Sequence, residues 1–267
     1  MCHLAIRSLC ADAENRAEQI SQALGIALYR NPDLAERDGI KVWAEVDRNQ
    51  IYLRLPFWPS RARLSIDFST GKLGYRQAQV KQNSELLKKA TGIQSGRAFK
   101  LLDATAGMGT DSVMLAALGF RVTALERQSL LAMMLREALQ RASTEPDSAE
   151  YLNNLEFVNA DALVWLNQNK SRQYDVIYLD PMFPERSKSA QVKKPMQLLQ
   201  VLLEEDSLDE HALLKLAIES AIYRVVVKRP VRAPCMADLK PSHQITGSNI
   251  RFDIYAIRSM RTVVEVG

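Results

Sequence analysis

Leu101-Leu102-Asp103-Ala104-Thr105-Ala106-Gly107-Met108-Gly109-Thr110-Asp111 is the stretch that decides the fold of this 267-residue chain. Its apolar start predicts a buried strand ending in Asp103, then a glycine turn, then the mouth of a helix near Thr110. Gly107 and Gly109 are open to backbone angles closed to other residues and, without Cβ atoms, let a ligand approach the main chain. The helix then aims unpaired N–H groups at that ligand. An open α/β sheet binds a nucleotide-like cofactor at such a corner.

A dinucleotide site asks for G-x-G-x-x-G and a phosphate on the helix dipole. Here Ser112 stands at the third glycine position, and the acidic Asp111 lies at the helix mouth. A carboxylate there repels a pyrophosphate but suits an ammonium group. S-adenosylmethionine (SAM) carries an ammonium and no phosphate, so it is favoured over a dinucleotide. The next predicted strand, Arg121–Leu125, runs into Glu126, 23 positions after Asp103. An acid so placed suits two ribose hydroxyls.

From Phe99 onward the pattern alternates strand and helix, which implies a parallel sheet. Strands are predicted at Lys100–Asp103, Arg121–Leu125, Leu155–Val158, Tyr174–Leu179 and Tyr223–Lys228. Helices are predicted at Thr110–Leu118, Leu130–Arg141, Ala162–Gln168 and Met196–Glu205, with a further one opened by the capping box Ser207-Leu208-Asp209-Glu210. Ile250–Ile257 and Thr262–Val266 are expected to close the sheet as an antiparallel hairpin. Before this region, residues 12–24 predict a helix. Ile40–Val46 and Gln50–Leu55 flank a turn at Asp47-Arg48-Asn49, and Arg61–Phe68 alternates as a further strand. The expected organisation is a small α+β appendage over residues 1–75 with an antiparallel sheet. A linker and helix follow over 76–97, the helix at Asn83–Thr91, and then a Rossmann-like methyltransferase domain over 98–267.

The second decisive segment is Val176-Ile177-Tyr178-Leu179-Asp180-Pro181-Met182-Phe183-Pro184. It is similar to the [D/N]-P-P-[Y/F/W] motif of amino-group methyltransferases, with Met182 in place of the second proline. An exocyclic amine is a poor nucleophile because its lone pair is delocalised into the ring. The Asp180 carboxylate and the Pro181 carbonyl can accept its two N–H bonds and turn the nitrogen towards a methyl donor, while Phe183 stacks on the base. No strong general base is needed against a positively charged sulfonium. Asp161 and Ala162, in Asn159-Ala160-Asp161-Ala162, are expected to contact the adenine amino group and a ring nitrogen. Asp161 is equally suited to cap the next helix.

The net charge of +4 is unevenly placed: residues 54–100 hold ten basic residues, among them Arg54 and Arg63, against Asp67 and Glu85. Such a block suggests a polyanionic partner, with Tyr52, Phe57, Trp58 and Tyr75 as either stacking faces or strand core. The polar segment 185–194, carrying Lys188, Lys193 and Lys194, is read as a lid touching nucleic-acid phosphate. Arg224, Lys228, Arg229 and Arg232 form a second basic cluster. No run approaches a membrane span, so no membrane partner is expected. Cys2, Cys10 and Cys235 form no C-x-x-C pair, and His3, His211 and His243 lack ligand spacing. A reducing cytoplasm and no metal are the expectation. The sequence carries no signal for oligomeric state.

Several strings together closely resemble the ribosomal RNA small subunit methyltransferase J family. They are Asp103–Gly109, Leu125-Glu126-Arg127, Tyr178–Pro184, Lys188-Ser189-Ala190, Val192-Lys193-Lys194, Val225–Pro230 and Arg251-Phe252-Asp253-Ile254-Tyr255. The resemblance spans about residues 98–257. It implies a class I fold and SAM-dependent methylation of the exocyclic N2 of a guanosine near the 3′ end of 16S rRNA. It further implies cofactor contacts at Thr110, Asp111, Glu126, Arg127, Asp161, Ala162 and Asp180; the glycine turn itself makes Gly107 an expected cofactor contact, and charge makes Lys188, Lys193, Lys194, Lys228 and Arg229 expected RNA contacts. Thr110 stands where relatives have arginine, and residues 76–83 replace a glycine-rich stretch. The competing expectations are the same chemistry on adenine or a protein glutamine, or a non-catalytic RNA-binding assembly factor.

Overall fold

The computed structural model describes residues 4–31, 38–56, 58–59, 62–68, 85–93, 98–169, 173–181, 194–202 and 208–260. The chain divides into two compact units, Met1–Asp67 with Met182–Ser207, and Phe68–Pro181 with Leu208–Gly267.

In the first unit, β1 (Leu4–Ser8) is followed by α1 (Glu14–Leu24), β2 (Val42–Val46) and β3 (Ile51–Arg54). The helix ends at Gly25, whose φ of 65° gives the left-handed C-terminal cap that glycine adopts without strain. β2 and β3 form the expected antiparallel hairpin, and Asp47 Oδ1 accepts the Asn49 and Gln50 N–H groups to shape its turn. The antiparallel expectation fails at β1, which pairs parallel to β2. Its five residues are too short for their alternation to stand out, and the α1 crossover makes the parallel pairing possible. Arg61–Phe68 does not form the expected strand either. Its described part makes one bridge, in which Leu53 and Leu64 exchange N–H···O bonds of 2.8 Å.

The second unit carries a seven-stranded sheet in the order β6-β5-β4-β7-β8-β10-β9. Residues 85–91 form α2, which ends at Gly92 with φ 67°. β4 (Lys100–Asp103), α3 (Thr110–Ala117), β5 (Arg121–Glu126), α4 (Ser129–Ala142), α5 (Pro146–Leu152) and β6 (Leu155–Asn159) run outward to one edge. The chain then returns through α6 (Ala162–Gln168) to β7 (Tyr174–Leu179), on the other side of β4. α7 (Lys194–Leu202) belongs to the first unit and packs on β2. α8 (Glu210–Ser220), β8 (Ala221–Pro230), β9 (His243–Thr246) and β10 (Ile250–Ala256) complete the second unit.

Strands β4 to β8 are parallel neighbours, and β7 is buried along its whole length, as a strand covered on both faces must be. One face packs Leu102, Ile177, Leu179, Val225 and Val227 against Leu166 of α6 and Leu213, Leu214 and Ala217 of α8. α8 is capped by Asp209, whose Oδ1 accepts the Ala212 N–H at 2.9 Å, so the cap lies two residues beyond the predicted Ser207. α5 was not foreseen; its Pro146 at the first turn starts it, and its short polar sequence gives little periodicity. β9 pairs antiparallel with β10 at the β9 edge of the sheet; the expected partner Thr262–Val266 lies outside the described residues. Gln244 supports the pairing from β9 by donating to Asp253 Oδ1 at 2.7 Å.

Candidate active site

The strand order reverses between β4 and β7, where a crevice opens beyond the carboxyl ends of a parallel sheet. Asp103 ends β4, Glu126 ends β5, Asn159 ends β6, and Asp180 follows β7. The Ala104 N–H donates to Tyr178 O at 3.0 Å, and the Asp180 N–H donates to Thr105 Oγ1 at 2.6 Å. These two bonds tie the glycine turn to the Asp-Pro corner across 75 residues of sequence.

The turn has φ 54° at Gly107 and 74° at Gly109, the latter capping α3 just before Thr110. A Cβ on Gly107 would meet only Thr105 O, at 3.9 Å, so that face of the turn is open to a ligand. Glu126 stands across from it. Its Oε2 accepts the Gly107 N–H at 2.9 Å and its Oε1 accepts the Gln128 N–H at 2.8 Å. Burial raises the Glu126 carboxyl, while these N–H bonds and the Arg127 charge pull it back. Each oxygen retains a lone pair for a ribose hydroxyl. The open turn and the fixed carboxylate fit SAM.

Asn159 donates to the Glu126 carbonyl at 2.7 Å, holding the ends of β5 and β6 together. Asp161 caps α6 by accepting the Val164 N–H at 3.0 Å, and Arg127 lies 4.0 Å from its other oxygen. The capping role of Asp161 is therefore realised, and Ala162 opens α6 beside it.

At the centre, the Lys228 ammonium donates to Asp111 Oδ2 at 2.7 Å and to Asp180 Oδ2 at 2.9 Å. The Tyr178 hydroxyl donates to the same Asp111 oxygen at 2.6 Å. Asp111, read from sequence as the holder of a cofactor ammonium, already meets an ammonium of the protein. Burial raises the Asp180 carboxyl, the Lys228 charge lowers it, and the Asp111 charge raises it. Lys228 is held far into its charged form: burial opposes the charge, but Asp180 and Asp111 outweigh it. The Tyr178 hydroxyl stays protonated, its ionisation suppressed by burial and then by the Asp111 and Asp180 charges.

Residues of the second basic cluster have partners within the protein. The Lys228 ammonium meets two carboxylates. The Arg229 side chain is 2% exposed, donates to Pro234 O at 3.0 Å and lies 3.7 Å from Glu210, so it supports the fold. Arg224 donates to Ala90 O at 3.1 Å at the end of α2. In the first unit, Arg54 and Arg63 bond to the buried Glu45 at 2.8 and 2.5 Å, and Arg7 joins them. Strand alternation identifies a basic residue but does not report a buried acid on the neighbouring strand.

Pro181 is buried beside Asp180. Phe183, Lys188 and Lys193 lie outside the described residues, and Lys194 opens α7 in the first unit. The reading by motif missed Thr105 and Tyr178, although both sit inside its quoted segments. Their side-chain directions depend on which strands become neighbours.

A family model for SAM-dependent methyltransferases matches residues 27–257. The ribosomal RNA small subunit methyltransferase J of Thioalkalivibrio sulfidiphilus is 39% identical over 253 residues, covering 94% of this chain and 97% of that protein. The protein of the same name from Pseudomonas aeruginosa is 36% identical, covering 96% of each. The crystal structure of a SAM-dependent methyltransferase from Neisseria gonorrhoeae superposes with a TM-score of 0.72 at 26% identity, covering 98% of this chain and 99% of that one.

Proposed function

This chain belongs to the ribosomal RNA small subunit methyltransferase J family of SAM-dependent methyltransferases, and from that premise we propose that it methylates guanine N2 near the 3′ end of 16S rRNA. The observation that carries the acceptor reading is the bond from the Asp180 N–H to Thr105 Oγ1. It holds the Asp180 backbone beside the glycine turn, which supports reading its carboxylate as an amine acceptor next to the methyl donor.

SAM, when bound, supplies an electrophilic methyl group on a sulfonium. Glu126 holds the ribose hydroxyls, and the open face of Gly107 admits the cofactor to the main chain. Asp161 and Ala162 flank its adenine. Asp180 and the Pro181 carbonyl accept the two N–H bonds of the guanine amine and orient its nitrogen. Phe183 stacks on the base. The oriented nitrogen would take the methyl group that SAM supplies, and the proton leaving that nitrogen would pass to Asp180 or water. The guanine must be unpaired or flipped, since Asp180 cannot reach an amine inside a stack. Lys188, Lys193 and Lys194 supply phosphate contacts. The enzyme acts in the cytoplasm, where its ribosomal substrate is made.

The test is methyl transfer from labelled SAM to 16S rRNA or small subunits from cells lacking the protein, with the product nucleotide identified by mass spectrometry. N2-methylguanosine is expected at one position. Label on adenine, on a protein glutamine, or nowhere overturns the acceptor assignment.

A further inference from the structure

Lys228 lies on β8, and strand register sets it opposite Phe252 of β10, an apolar neighbour that offers it no polar partner. Its ammonium points instead to the β4–β7 crevice, where two carboxylates from different elements meet it. Asp111 comes from the first turn of α3 and Asp180 from the end of β7, 69 residues apart in sequence. Both contacts fall on one oxygen of each carboxylate, Oδ2, at 2.7 and 2.9 Å. Like charges this close repel, and one ammonium between them cancels that repulsion while fixing both carboxylates in direction.

We propose that Lys228 is a positioning residue for methyl transfer: its ammonium bridges Asp111 and Asp180 and holds the Asp180 carboxylate as an acceptor for the substrate amine. This rests on the amine-clamp reading of Asp180. Lys228 touches neither reactant in this role. It acts through Asp180, keeping Oδ2 with the lysine so that the other oxygen can serve the amine.

The charged and titratable groups around the bridge all bear on it. Asp111 from α3 adds negative charge, the Asp103 carboxyl at the end of β4 is pushed up to about 7 by burial, Tyr178 from β7 donates to Asp111, and Lys228 is the cation that meets both Asp111 and Asp180. Burial and Asp111 both favour a proton on Asp180, and Lys228 opposes them. Without the lysine, Asp180 binds a proton to higher pH. A protonated Asp180 presents a donor where the amine needs an acceptor.

The experiment compares wild type, Lys228→Met and Lys228→Arg. Asp180 is followed directly by carboxyl carbon-13 NMR titration, its resonance assigned with Asp180→Asn, and the pH profile of kcat/KM is measured on 16S rRNA. In the wild type, Asp180 is expected to be ionised at the pH of turnover; a protonated Asp180 there overturns the proposal without any variant. In Lys228→Met, the Asp180 titration and the acid limb of the profile should both move up by about one pH unit or more, with Lys228→Arg restoring them. A folded Lys228→Met whose Asp180 titrates as in wild type overturns the proposal. If Lys228→Met does not fold, Lys228→Gln carries the same comparison, and the wild-type titration stands regardless. The NMR reading needs no methyl acceptor, so it separates failure of the bridge from failure of the guanine assignment.

Discussion

The Ser112 hydroxyl donates to Asp103 Oδ2 at 2.5 Å, closing the glycine turn from its buried side. Thr105 N–H donates to the other carboxylate oxygen at 3.1 Å. Ser112 occupies the position where a dinucleotide fingerprint would have its third glycine, and a glycine there has no side chain to reach Asp103. The departure that argued against a pyrophosphate in the sequence thus has a second physical reason. It anchors the acid at the end of β4.

Asp103 is 1% exposed, and its carboxyl is pushed up to about 7. Burial is the main cause; the Ser112 and Thr105 bonds oppose it, and the Asp111 and Asp180 charges add to it. The folded protein holds this proton to higher pH than the unfolded chain. Its contribution is therefore fully present below about 4 and lost as pH rises to about 7, at about 1.4 kcal/mol per pH unit within that window. Asp103→Asn should flatten this decline in urea unfolding measured from pH 4 to 8. An unchanged slope would mean that Asp103 is ionised throughout.

Asp180→Asn keeps the volume of the side chain but replaces one acceptor with a donor. The turnover number should fall by about 10²- to 10³-fold, the scale of losing one aligned polar contact at a reacting centre. Circular dichroism should stay near wild type. Full activity in the variant would remove the amine clamp.

Glu126→Gln should weaken SAM binding roughly 10- to 100-fold, the range of hydrogen bonds to a charged group. Isothermal titration calorimetry reads this without an RNA substrate. Unaltered affinity would take Glu126 out of the cofactor site.

Gly109→Ala forces a side chain onto φ 74°, and its Cβ would stand 2.5 Å from Cδ1 of Leu135, a side chain buried in α4. A loss of about 1–3 kcal/mol in unfolding free energy is expected. Gly107→Ala shares the strained φ but meets open space, so it should cost less stability and act mainly on SAM binding.

Arg229→Ala should lower stability by about 1–3 kcal/mol, because it removes a buried donor from Pro234 O. The salt dependence of RNA binding should not change. Lys193→Ala is expected to behave in the opposite way, leaving stability alone and reducing the salt slope by about one. A reversed pattern would return Arg229 to the RNA surface.

Strong local patterns made much of the second unit legible before any coordinates. The apolar runs Lys100–Asp103 and Tyr174–Leu179 appear as strands with those same bounds, and Ala162–Gln168 as a helix. Glycine and proline punctuate the corners that follow Asp103 and Asp180, so both ends of the crevice could be read from residue type. β1 and α5 escaped because the mixed sequence of the one and the polar sequence of the other offered no apolar run to read. The partners of the basic clusters were not legible, because charge is visible in a sequence while its partner is not.

By itself the sequence determined the parallel sheet, the glycine turn, the Asp-Pro corner and the family, because these follow from the order of residues along the chain. The tertiary structure decided what each charge does. Lys228 lies 117 residues from Asp111 and 48 from Asp180, and only the order β4-β7-β8 brings the three together. An ion pair depends on distance in space, falling off over a few ångströms in a medium less polar than water. Chain separation carries no record of that distance, and strand pairing supplies it.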